Sequence, residues 1–274
     1  MANKIILSRK GFDSANGGMA SPIFPDGRLI SLPIPEDSKK KTKDFSVRYS
    51  DIHVDGKTYR EIISDLKPNH SNLDDCCHLD PDIFRNIKTR EKDWKACFGQ
   101  STAALSHLTS QKVDVGDIFL FFGWYKQTEV VEGKIKFKRG APDLQIIFGY
   151  LQVREIASAN EVGKYYWHPH SKGHESENNA IYVAEKNLLN TEFPGYGTFK
   201  FSDELVLTKD GYSRSRWELP KCLKFSDMTY HDERSRKKDY FQSAMIGQEF
   251  VMDSTSEIEE WIISIVENSR VNSD

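Results

Sequence analysis

The sequence predicts a mixed α+β fold in which an antiparallel β-barrel is decorated with helices. Three observations carry that expectation. Two strongly apolar, aromatic-rich runs, residues 118–124 (IFLFFGW) and 144–155 (LQIIFGYLQVRE), lie either side of a charged excursion at 126–143, the pattern of a long hairpin. Shorter strand-like runs at 5–7, 180–184 and 205–208 are separated by turns bearing Gly and Pro. Helical spacing is confined to a few short segments. At 274 residues, one domain accommodates all of this: a loop-rich part, 1–110, packed on a barrel core, 111–225, with a C-terminal helix over 254–268.

The chain opens with Ile5, Ile6 and Leu7, enough for one buried strand. The strand runs into a polar loop of Ser8, Arg9, Lys10, Gly11, Phe12, Asp13 and Ser14, with Gly17 and Gly18 close behind. Ser21 precedes Pro22 and re-enters an extended path. Pro25-Asp26-Gly27 has the chemistry of a tight turn, and residues 29–34 extend again. Ser8, Arg9, Lys10 and Asp13 can meet one anionic or polar ligand from such a loop. A hairpin with a wide, solvated loop accounts for the same residues equally well.

Residues 36–50 form a polar connector, and Lys39, Lys40, Lys41 and Lys43 in it are either solvated or in reach of phosphates. Residues 58–66 place Tyr59, Ile62, Ile63 and Leu66 on one helix face. The second polar concentration follows, Asp74 to Asp82. Asp80 before Pro81 reads as a helix cap with proline at the first helical position. His78 and Asp82 have no such structural duty, and together with Asp80 they could do general acid–base work. Residues 100–108 read as a small-residue helix with His107 near its end.

Residues 165–178 contain a cluster of histidines. A metal reading would use His168, His170 and His174, with His78 or Asp82 as a further ligand; a solvated His-rich loop is the alternative. Residues 212–217 gather Arg214, Arg216 and Trp217, which suit a phosphate and a stacked base, or a surface turn whose Trp caps the core. Residues 256–268 carry the amphipathic spacing of a closing helix.

Composition narrows the classes. Charged residues are 29% of the chain and the net charge is −3, so the whole chain is not an electrostatic nucleic-acid binder. Aromatics reach 12%, which suits both a packed core and base-stacking pockets. Four cysteines without a C-x-x-C, and no leader-like start, imply reduced thiols in a cytoplasm. No apolar run approaches the roughly 20 residues needed to span a bilayer. Nothing beside Cys76, Cys77 or Cys97 explains a reactive thiolate.

The runs Ser8 to Ser14, Gly17-Gly18, Ser21-Pro22-Ile23, Pro25-Asp26-Gly27 and Ser31 to Pro35 resemble the opening of the third nucleotide-modification-associated domain, a family of bacteria and phages. The resemblance continues through His78 to Asp82, Phe98-Gly99-Gln100, Gly116-Asp117, Phe121 to Trp124, Arg214-Ser215 and Trp217. It implies a setting in systems that modify DNA bases, and partners among DNA, modified nucleotides and other proteins of such systems. The middle strands also resemble barrels of the pseudouridine-synthase-associated type, which implies a pocket for a flipped or modified base.

Two function classes follow. An enzyme acting on a nucleobase or its substituent would use Asp13 or Asp82 as base or nucleophile, with His78 and Asp80 alongside. Lys10 would stabilise charge, Ser8, Arg9, Ser21 and Arg214 would hold substrate, and Trp124 or Trp217 would stack the base. A non-catalytic reader would need an aromatic cage and basic flanks but no converging carboxylates. The enzyme reading requires no cofactor, and a metal ion is compatible with it; a nuclease-like metal enzyme is a third, motif-poor alternative.

Overall fold

The structure is a computed structural model, and it describes residues 2–36, 47–69, 76–171, 178–245 and 247–271. His174, Asp74 and the lysines at 39–43 lie outside the described residues.

Nine strands form the main sheet: β1 (Lys4–Arg9), β2 (Ser21–Ile23), β3 (Cys97–Ser101), β4 (Ile118–Val131), β5 (Lys134–Phe137), β6 (Leu144–Ser158), β7 (Asn179–Ala184), β8 (Tyr196–Thr198) and β9 (Glu249–Asp253). Their order is β9-β1-β4-β6-β7-β3, with β2 and β5 also on β4 and β8 also on β6. β1 runs parallel to β4 and antiparallel to β9. Flanked on both edges and covered on both faces, β1 buries Ile5, Ile6 and Leu7 completely, which is why its sequence is a continuous apolar run. The hairpin is longer than its apolar stretches imply. β4 continues through the charged excursion to Val131 and pairs with β5.

No closed barrel is found. β3 and β9 end the sheet, and among the described residues no backbone ladder joins them. The sheet is nonetheless strongly curled. In a flat sheet β3 would lie about 14 Å from β4, three strand spacings away. Instead Phe98 of β3 packs on Phe119 and Phe121 of β4, with ring centroids 4.9 and 5.3 Å apart. Phe98, Phe119, Phe121, Phe148 and Tyr182 fill the concave side, all at 2% exposure or less. Across the remaining gap the edges are bridged by side chains: Gln100 Nε2 of β3 donates to Glu249 Oε1 of β9 at 2.6 Å. Polar side chains and a cavity occupy the place where a closing ladder would run.

Three α-helices accompany the sheet. α1 (Tyr59–Leu66) starts in a reciprocal cap in which Thr58 accepts from Glu61 N and the Glu61 carboxylate accepts from Thr58 N. With its apolar face it anchors a second core containing Phe12, Tyr49, Ile62 and Ile63. α2 (Thr102–Ser110) leaves directly from β3. α3 (Ser256–Ser269) places Ile258, Ile262, Ile265 and Val266 in the main core, as its spacing predicts.

Two expectations are corrected here. Asp80 caps no helix, because its carboxylate is engaged elsewhere. Trp217 is not an exposed stacking surface: it is 1% exposed, packs on Phe122 and Phe250, and donates from Nε1 to Arg214 O at 3.0 Å. A large amphipathic ring beside two arginines reads as a binding platform, but here burial of its apolar area wins. Trp217→Ala is expected to cost about 3–5 kcal/mol, read as a lowered denaturation midpoint.

Candidate functional site

A cavity of about 670 Å³ opens at the gap between β3 and β9. Five chain regions line it. The loop after β1 contributes Arg9, Lys10 and Asp13; His78 and Asp80 come from an extended segment; Gln100 to Ala104 join β3 to α2. His170 and the rim residues Tyr230, Met245 and Glu249 complete it.

Asp80 is the meeting point. Its Oδ1 accepts from Gly99 N at 2.7 Å and from His168 Nε2 at 3.1 Å. His168 Nδ1 accepts from His170 N at 3.2 Å, which places the ring proton on Nε2, facing Asp80. Burial alone would raise the Asp80 carboxyl. The hydrogen bond and charge of His168, with Lys10 and His170, outweigh it and hold Asp80 well below the usual carboxylate range.

His170 is buried beside it. Its Nδ1 lies 2.8 Å from Asn179 Oδ1, while Asn179 Nδ2 donates to His170 O, so Nδ1 carries the proton and Nε2 keeps its lone pair. Burial lowers this imidazole from its ordinary 6.5 to about 3, against the opposing pull of Asp80. The rings of His78 and His170 meet edge-on, 5.0 Å between centroids. Both imidazoles of the 168–170 turn rest on bare backbone: a Cβ at Gly99 would lie 2.3 Å from His170 Cδ2 and 2.8 Å from His168 Cε1. Glycine is required there by close approach rather than by its dihedral freedom.

Beside this cluster Lys10 Nζ pairs with Glu249 Oε1 at 3.1 Å, their side chains 9% and 1% exposed. Lys10 also sits 4.3 Å above the Phe98 ring. Glu249 Oε2 has no hydrogen-bond partner among the described residues. At the rim, His107 Nε2 lies 3.1 Å from Thr229 Oγ1, with its ring 4.6 Å from that of Tyr230. Tyr230 and Met245 are 50% and 87% exposed. Thr102 and Tyr230 hold φ of 53° and 66°, strained values for residues with side chains. Such strain, about 1–3 kcal/mol each, concentrates at working sites.

The structure therefore brings Arg9, Lys10, Asp13, His78, Asp80 and His170 to one cavity, and holds the other described sequence candidates apart from its lining. Asp13 is largely a loop cap, accepting from Ala15 N and Asn16 N. Arg9 donates to Ala244 O and Met245 O, tying the rim to β1. Asp82 is a structural anchor: Arg90 pairs with it at 2.8 Å and Trp94 Nε1 donates to it at 2.8 Å. Ser21 Oγ accepts from Leu32 N and pins the second extended segment. Ser8 is fully buried in β1, opposite Glu249. Trp124 donates to Asp143 and is covered by the Arg214 guanidinium at 3.8 Å, so the two engage each other. Of the His cluster, His170 joins the site and His168 stands behind Asp80. Burial pushes the Cys77 and Cys97 thiols well up, against a nucleophilic role for either.

Sequence reasoning missed Gln100, Glu249, Asn179, His107 and Tyr230 as parts of this region. Glu249 had a faint signal: one carboxylate opening the apolar run Glu249-Phe250-Val251-Met252.

The chain is a member of the nucleotide modification associated domain 3 family, whose sequence model matches residues 4–253. That span includes every cavity residue discussed above. No curated protein and no solved structure matches the chain.

Two outcomes are expected from this geometry. The unfolded chain protonates His170 near 6.5, whereas the folded chain resists until about 3. The unfolded state therefore binds more protons between those values, and stability falls as pH drops through that window. Denaturation at stepped pH is expected to show the loss, and His170→Gln to lessen it by a few kcal/mol near pH 4. Separately, Lys10→Met is expected to cost about 3–5 kcal/mol by stranding Glu249. Adding Glu249→Gln should recover much of that in a double-mutant cycle.

Proposed function

We propose that the protein is an enzyme acting on a nucleobase or its substituent in a DNA-modification pathway, with the cavity between β3 and β9 as its active site. The observation that carries this reading is the convergence of an ionised Asp80, an uncharged His170 and the Lys10–Glu249 pair in one opening. A reader of modified bases needs no such set. Family membership supports the nucleotide setting.

The roles follow from the chemistry. A cavity of about 670 Å³ falls in the range that encloses a small ligand such as a nucleotide. Arg9 and the first-turn amides of α2 supply positive potential for a phosphate. Tyr230, half-exposed at the rim, offers a face for a base. His170 Nε2 and Asp80 are the proton acceptors nearest the centre of the cluster. Lys10, held by Glu249, faces charge that develops on an oxygen or ring nitrogen. The second reading, a non-catalytic reader, draws on the same exposed Tyr230 and Met245.

The test is conversion. The protein is incubated with free nucleotides and with duplex DNA carrying modified guanine, and nucleosides are analysed by mass spectrometry. A mass change is expected, and Asp80→Asn should reduce its rate by about 10²–10⁴-fold, the usual worth of an acid–base group. Asp82→Asn should lower stability while leaving turnover per folded molecule close to normal. Tight binding without any mass change would replace the enzyme with the reader.

A further inference from the structure

We propose that His78, Asp80 and His170 hold one divalent first-row transition ion in this cavity. Each offers a ligand atom, and those atoms all lie within 4.8 Å of one another. Ligand atoms at about 2.1 Å from an ion sit about 3.4 Å apart in a tetrahedron, so roughly an ångström of contraction completes the set. Two imidazoles and one carboxylate favour zinc, iron or manganese over calcium or magnesium, which prefer all-oxygen shells.

The surroundings suit metal ligands. His170 and Asp80 are held from behind by hydrogen bonds, and a carboxylate lies near His78. Asn179 Oδ1 accepts a hydrogen bond from the protonated Nδ1 of His170, so Nε2 is its ligand atom. Glu36 Oε1 lies 3.9 Å from Nδ1 of His78. Asp80 spends Oδ1 on Gly99 N and His168 Nε2, which leaves Oδ2. Outer partners of this type fix ring orientation and raise ligand basicity. Gly99 provides the space, since any Cβ there would displace His170. Three protein ligands facing a cavity leave positions for water or substrate, the arrangement of catalytic rather than structural ions. The nearby Lys10 does not oppose the ion with an unbalanced charge, because Glu249 is paired with it. Binding of the ion stands on these contacts alone; its part in turnover, as Lewis acid or activator of water, rests on the function proposed above.

Full-length protein purified without chelator is analysed for metal by mass spectrometry. Chelator-treated protein is then titrated with Zn²⁺ by calorimetry and with Co²⁺ by visible absorption, with Mg²⁺ as control. One ion per chain is expected, with a Co²⁺ spectrum of low coordination number and no comparable Mg²⁺ binding. Asp80→Ala and His170→Ala should abolish stoichiometric binding, and Asn179→Ala should weaken it about 10–100-fold. His78→Ala, a half-exposed position, serves where a buried variant fails to fold, as judged by circular dichroism. Folded wild-type protein that binds neither Zn²⁺ nor Co²⁺, or folded ligand variants that bind as wild type, would overturn the site. Nucleotide conversion at full rate by protein that holds no ion would overturn the ion's part in turnover while leaving the enzyme reading intact. A stoichiometric ion with no conversion would uphold the site and count against the enzyme reading alone.

Discussion

The Asp80 carboxylate ties together parts of the chain that share no local sequence. One oxygen accepts the amide of Gly99 on an edge strand and the imidazole of His168 on a distant turn. A buried carboxylate with two donors is stable where an unpartnered one would be costly. Removing it would free the His168–His170 turn from β3 and leave two buried imidazoles without their anionic neighbour. The seating of the His168–His170 turn on β3 follows from that one group, while burial keeps His170 uncharged against its pull.

The curl of the sheet is the second constraint. Aromatic residues on the concave side draw β3 towards β4, and so bring the two free edges within side-chain reach. A complete ladder would have filled the seam with backbone hydrogen bonds. Leaving it to Gln100, Glu249 and Lys10 creates a polar opening in an otherwise apolar core. The same geometry manages exposed edges without full closure, because α2 and the rim residues cover what pairing would have covered.

Much of the framework was legible in the sequence. β4 and β6 announced themselves as aromatic runs, α1 through the spacing of Tyr59, Ile62, Ile63 and Leu66, and α3 through its own. Arg9, Lys10 and Asp13, which the opening loop gathers in sequence, line one cavity. The failures have physical reasons. Asp80-Pro81 fits the local chemistry of a helix start, but a tertiary donor, Gly99 N, competes for the carboxylate and takes it. Asp82 looked equivalent to Asp80 two residues away, yet its carboxylate is taken by Arg90 and Trp94 rather than by the cavity. Glu249 and Asn179 lie far from the motif in sequence, and only the order of strands in the sheet makes them neighbours. The barrel expectation came from counting strands, and strand count does not determine whether the first and last edges meet.

The seating of two imidazoles on the bare backbone of Gly99 has a use beyond this chain. A methyl group at that position would collide with His170 and with His168, so the pocket and a side chain at 99 exclude each other. Position 99 is therefore a diagnostic mark. Among relatives, a glycine there together with a histidine and an aspartate spaced as His78 and Asp80, and a His-Pro-His turn, would flag chains that retain the chemistry. A larger residue at the same place would flag descendants that kept the scaffold and gave up the site.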